Sequence, residues 1–117
     1  MPQHIETGKS GEDHATLFLE NKGYLVIERN WRSRRNEVDI IASEGNVLHF
    51  VEVKTRTTID FGMPETKVKG PKLKHLKEAA EVYLFLNPTW KWIQFDILSV
   101  IITADGSPRF YMIEDVF

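Results

Sequence analysis

Two short triplets hold the residues best able to do chemistry in this 117-residue chain, Glu37-Val38-Asp39 and Glu52-Val53-Lys54. In a β-strand the first and third residue of each triplet share a face. The intervening Gly45-Asn46 is a two-residue hairpin signal, and a type II′ turn there sets Asp39 opposite Glu52 and Glu37 opposite Lys54. Opposed carboxylates on neighbouring strands repel, and burying them is expensive, so the arrangement calls for a cation. With oxygen ligands only, the expected ion is hard, Mg²⁺ or Mn²⁺, completed by water and a substrate phosphate. Asp39 and Glu52 are its expected ligands, and Glu12 is placed to reach the same spot from a preceding helix. Lys54 is suited to orienting or deprotonating an attacking water, with Glu37 supporting Lys54 or a second ion. Phosphodiester hydrolysis is the chemistry these groups would perform.

The elements that must position them follow from periodicity and punctuation. A first helix is read over Gly8 to Lys22, with Ser10 as cap and Gly23 as stop. Three strands are read over Tyr24 to Asn30, Glu37 to Ser43 and Val47 to Thr55, joined by the basic turn Arg32 to Asn36 and by Glu44-Gly45-Asn46. A second helix is read from Pro71 to about Leu86, and two last strands, Trp92 to Thr103 and Arg109 to Ile113, flank Asp105-Gly106. The order αβββαββ makes the helix a crossover, so strands 3 and 4 should be parallel and strand 3 central. The expected class is α/β, a mixed sheet with flanking helices. One domain over residues 1–117 is expected, residues 1–7 forming a flexible N-terminus.

Composition removes most other chemistries. With no cysteine there is no disulfide, thiolate nucleophile or cysteine zinc site. The apolar runs are far below the roughly 20 residues that span a bilayer, and the N-terminus lacks a signal-peptide core; a cytoplasmic protein without membrane contact is expected. The four histidines share no ligand spacing, and no GxGxxG, Walker or GxSxG motif occurs.

Charge is uneven: residues 29–77 hold eleven Lys and Arg against six acids, while the rest is acidic, within a net charge of −2. A basic middle on an acidic protein suits a polyanion. Arg32, Arg34 and Arg35 beside Trp31 could clamp phosphates and stack on a base; Arg56 joins them, and Lys72, opening the second helix, could touch the scissile phosphate. Lys67, Lys69, Lys74 and Lys77 are candidates for tracking the backbone, and the stretch Thr57 to Lys69 for a flap.

Several segments together carry a family resemblance: Gly11-Glu12-Asp13-His14-Ala15, Gly23-Tyr24, Asn30-Trp31-Arg32, Glu37-Val38-Asp39-Ile40-Ile41-Ala42, Phe50-Val51-Glu52-Val53-Lys54-Thr55-Arg56, Phe61-Gly62 and Lys72. They resemble the signature of the YraN-like family of uncharacterised bacterial proteins. That family is similar to archaeal Holliday-junction resolvases and belongs with the PD-(D/E)xK nucleases. The resemblance implies a restriction-endonuclease-like fold, with Asp39 as the metal-binding Asp, Glu52 and Lys54 as the (D/E)xK pair and Glu12 as the helix-borne acid. It implies DNA as partner, branched or otherwise structured and read with little sequence specificity. Cutting a four-way junction symmetrically needs two sites, hence a two-fold homodimer. The alternatives from other classes are a non-catalytic nucleic-acid-binding module and a scaffold for protein partners held by structural ion pairs.

Overall fold

The computed structural model describes the backbone over residues 3–57 and 70–116, and side chains over residues 11–57 and 74–116. The elements are α1 (Gln3–Asn21), β1 (Leu25–Ser33), β2 (Asn36–Glu44), β3 (Val47–Thr57), α2 (Gly70–Leu86), β4 (Trp92–Ile102) and β5 (Pro108–Ile113). The order is αβββαββ, and the strands form one sheet, β1-β2-β3-β4-β5. Every neighbouring pair is antiparallel except β3 and β4, which run parallel across the α2 crossover. β3 is central, as its apolar run implied.

One helix covers each face. On the α1 side, Ala15 and Leu19 pack on Ile40, Ala42, Val51, Leu98 and Val100. On the α2 side, Leu76, Ala79, Ala80 and Tyr83 pack on Val38, Ile41, Leu48 and Phe50. Burying both faces of β2 and β3 explains why these strands read as continuous apolar runs rather than alternating ones. α1 stops where Gly23 takes a φ of +95°, with the Tyr24 amide donating to the Leu19 carbonyl at 3.0 Å and the Gly23 amide to that of Glu20 at 3.0 Å. Near its middle α1 passes so close over β3 that a Cβ on Gly11 would lie 2.0 Å from Thr55 Oγ1.

Two boundaries differ from the sequence reading by three residues or more, the start of α1 and the end of β1, and the others by two or fewer. α1 begins at Gln3, so Ser10 lies inside the helix and does not cap it; no turn signal interrupts His4 to Thr7. β1 continues through Trp31, Arg32 and Ser33, which pair with Val38, Glu37 and Asn36. The basic turn thereby shrinks to Arg34-Arg35, with Arg34 at a φ of +57°. Burial of Trp31, edge-on to Tyr83 at 5.3 Å between ring centroids, favours that extension. Residues 1–2 of the expected N-terminus, and Lys67 and Lys69 with nearly all of the expected flap, lie outside the described residues.

Candidate active site

The site begins with the β2–β3 hairpin. Gly45 takes a φ of +60° at the first central position of its turn, as a type II′ turn requires. The ladder runs from Glu44 opposite Val47 to Ile40 opposite Val51, the register expected from the sequence. Continued by one step it would pair Asp39 with Glu52, but the pairing stops at Ile40.

Three observations locate an irregularity there. Val38 packs on the α2 side and Ile40 on the α1 side, although residues two apart on a regular strand share a face. On β1, Asn30 takes a φ of +52° between the pairs Arg29–Ile40 and Trp31–Val38, which puts it across from Asp39. The Asp39 side chain then does what a β2 carbonyl would do in a regular ladder: its Oδ2 accepts the Val53 amide proton at 2.8 Å. Asp39 is thereby fixed against the peptide that joins Glu52 to Val53.

Val51 and Val53 belong to the α1-side cluster, so Glu52 between them and Lys54 beyond face the α2 side. Glu52 is 2% exposed, and its Oε1 lies 3.8 Å from Lys54 Nζ, whose side chain is 28% exposed. A carboxylate this deep needs a positive partner, and the lysine supplies one while reaching toward solvent. Arg56 follows on the same strand, half-buried, two residues beyond Lys54.

The remaining expected acids are engaged elsewhere. Glu37 pairs with Arg32 across the β1–β2 ladder at 3.6 Å. Glu12 Oε2 accepts from Asn30 Nδ2 at 3.0 Å and lies 3.9 Å from Arg29, which also holds Asp13 at 2.8 Å. Glu12 therefore approaches the residue across from Asp39, not Glu52. Among the described residues no three His, Asp or Glu side chains gather into a metal cage.

The basic residues divide by position. Arg32 lies in β1, exposed, while Arg34 and Arg35 make the turn. With Asn36, Lys74, His75 and Glu78 they line one open cleft between the turn and the second turn of α2. Lys72 lies in the first turn of α2; its side chain is outside the described residues. Trp31 is packed on Tyr83, so the expected base-stacking role is replaced by core packing.

Sequence reasoning missed one buried polar cluster. His49 Nδ1 lies 2.7 Å from Asp96 Oδ2, and both residues are buried. Asp96 Oδ1 accepts from Gln94 at 2.9 Å and from the Asp115 amide at 3.0 Å, tying the C-terminal segment to β4. Tyr24 stands edge-on to His49 at 4.9 Å. Burial, then the negative charges of Glu44, Glu114 and Asp96, push its phenol up to about 12. The available signal was one His and one Asp, each inside an apolar strand run, on strands joined by a parallel crossover.

The fold and site together define a small α/β protein in which Asp39 is held on the Val53 amide and Glu52 is paired with Lys54, where the β2–β3 ladder stops. By comparison with known proteins, residues 11–100 match the model of "Uncharacterised protein family UPF0102", and the chain belongs to that family, the YraN-like family whose signature it carries. UPF0102 proteins similar to it include one from Dictyoglomus thermophilum, 44% identical over 102 residues and 86% of each chain. Another, from Bacteroides thetaiotaomicron, is 42% identical over 117 residues, covering 100% of this chain and 96% of the relative. A third, from Rhodococcus opacus, is 36% identical over 118 residues and the full length of both. Among the described residues no helix is long and apolar enough to cross a membrane.

Proposed function

We propose that this protein is a metal-dependent nuclease that hydrolyses phosphodiester bonds in DNA. The observation that carries the reading is the Asp39 carboxylate held on the Val53 amide, between Glu52 and Lys54. Two carboxylates on adjoining strands, one buried and one fixed by a backbone donor, suit Mg²⁺ or Mn²⁺, which commonly takes one or two protein carboxylates with water and phosphate. The bound ion would polarise the phosphate and lower the pKa of the attacking water. Asp39 and Glu52 supply its protein ligands. Lys54, within ion-pair distance of Glu52 and open to solvent, is suited to hold the attacking water or to offset charge developing on the phosphate. Glu12 is held by Asn30, which lies across from Asp39 on the neighbouring strand.

Branched or structured DNA is the proposed substrate, and a two-fold dimer is the assembly that symmetric junction cutting requires. Cleavage of a four-way junction, a flap and a plain duplex with Mg²⁺, Mn²⁺ or EDTA, alongside Asp39→Asn and Lys54→Ala, tests this reading. Metal-dependent cutting by the native protein that both substitutions abolish is the expected result. Equal cutting by native protein and Asp39→Asn would mean a contaminating nuclease and remove the proposal.

A non-catalytic DNA-binding module is favoured by one observation: Glu12 and Glu37 are committed to Asn30 and Arg32. It predicts salt-dependent DNA affinity without cleavage under any metal.

A further inference from the structure

The cleft between the β1–β2 turn and α2 is cationic in an unusual way. Arg34, Arg35 and Lys74 line it together with His75, and among the described residues none of these four has an ion-pair or hydrogen-bond partner. Among the described residues its one acid, Glu78, lies four residues after Lys74 on α2. A helical pair with Lys preceding the acid is the weaker orientation, and Glu78 instead accepts from Asn36 Nδ2 at 3.3 Å. That bond ties the start of β2 to α2, so the two walls are joined while Arg34, Arg35 and Lys74 outnumber the one lining carboxylate. Arg34 sits at a φ of +57°, a conformation that Asn or Gly adopts more readily than Arg. Three cationic side chains, Arg34, Arg35 and Lys74, facing one carboxylate that is itself hydrogen-bonded to Asn36, with Arg34 on a backbone position that disfavours it, describe a site suited to an anion.

The position identifies which anion. Asn36 begins β2 three residues before Asp39, about 10 Å along a strand. The α2 wall stands on the sheet face that Glu52 and Lys54 share. In a duplex each strand advances about 3.4 Å along the axis per phosphate. We infer that Arg34, Arg35, Lys74 and His75 form a phosphodiester-binding subsite that grips the DNA backbone one to three nucleotides from the bond held at Asp39 and Glu52. The subsite rests on the nuclease reading for its distance from the cut, but its affinity is independent of chemistry. Backbone contact here positions the strand and carries no base information.

The test measures binding of a labelled junction and duplex in EDTA, where no cutting intervenes, as a function of salt. Arg34→Asn removes the charge while suiting the left-handed backbone, so folding is preserved; it is combined with Lys74→Ala. Each lost phosphate contact should lower the slope of log affinity against log salt by about 0.9, and the pair should lower it by about 2. Arg109→Ala, exposed on β5 away from the cleft, should leave it unchanged. Methylphosphonate scanning adds the position: a neutral linkage one to three nucleotides from the cut should weaken native binding and leave the double variant indifferent. Unchanged slopes in the double variant, or a native protein that binds no DNA, overturn the subsite. Competition by millimolar inorganic phosphate with no slope change would assign the cleft to a free anion and equally overturn it. A lowered slope with no cleavage under any metal would retain the subsite and reject the nuclease reading alone.

Discussion

Asp39 Oδ2 and the Val53 amide nitrogen are 2.8 Å apart, a side-chain acceptor standing in for the backbone carbonyl that a continuous β2–β3 ladder would offer. The carboxylate that a metal would need is thus also a structural acceptor, and substitutions separate the two roles. Asp39→Asn retains a carbonyl oxygen for Val53 and should unfold in urea close to native, yet lose cleavage by about a hundredfold or more. Asp39→Ala orphans the amide and should cost about 1–2 kcal/mol in addition. Comparable destabilisation by both substitutions would mean that the charge, not the acceptor, holds the strands.

Lys54 offsets the charge of Glu52, whose side chain is only 3% exposed. Lys54→Met keeps the stem and removes the ammonium, and it should destabilise the fold by about 1–3 kcal/mol in EDTA. A divalent ion that binds the folded state can restore stability by mass action, about 2.7 kcal/mol at a hundred times its Kd. Thermal unfolding of Lys54→Met with and without Mn²⁺ should therefore show a metal-dependent rise in Tm that Glu52→Gln abolishes.

At the α1–β3 crossing a methyl group has nowhere to go. A Cβ at Gly11 would meet Thr55 Oγ1 at 2.0 Å, Cγ2 at 2.7 Å and Cβ at 2.8 Å. Gly11→Ala should cost about 1–3 kcal/mol through displacement of α1, which also carries Glu12. Adding Thr55→Ala removes two of the three clashing atoms and should recover part of the loss in denaturant unfolding; Thr55→Ala alone should not stabilise the native chain by the same amount.

Tyr24 predicts behaviour at alkaline pH. Its phenol is held up at about 12, against about 10 in the unfolded chain, because burial and nearby acids oppose ionisation. The unfolded state releases this proton first, so stability is fully present below pH 10 and is lost as pH rises from 10 toward 12. Burial also raises the Tyr83 phenol, so near-ultraviolet absorbance should show more than one late-titrating tyrosine, of which Tyr24→Phe removes one. The same substitution should flatten the alkaline fall in stability.

Much of the architecture was readable because local signals are strong where chain geometry dictates them. Gly45-Asn46 admits a two-residue turn, and that turn alone sets the register from Glu44–Val47 to Ile40–Val51. A helix between two apolar strands forces a parallel pair, hence β3 beside β4. Boundaries were less legible: Trp31 extends β1 because it finds Tyr83 on a helix some fifty residues later, a partner that no local window contains.

For the site, residue types and their period-two spacing already named Asp39, Glu52 and Lys54 and the hard-ion chemistry their oxygens favour. Tertiary structure alone decided where each side chain goes. Strand alternation breaks at Asp39, so its carboxylate turns onto the Val53 amide, while Glu37 and Glu12 go to Arg32 and Asn30. Ideal strand periodicity holds no information about such a break, which depends on Asn30 adopting a left-handed backbone on the neighbouring strand and on two helices packing opposite faces of one sheet.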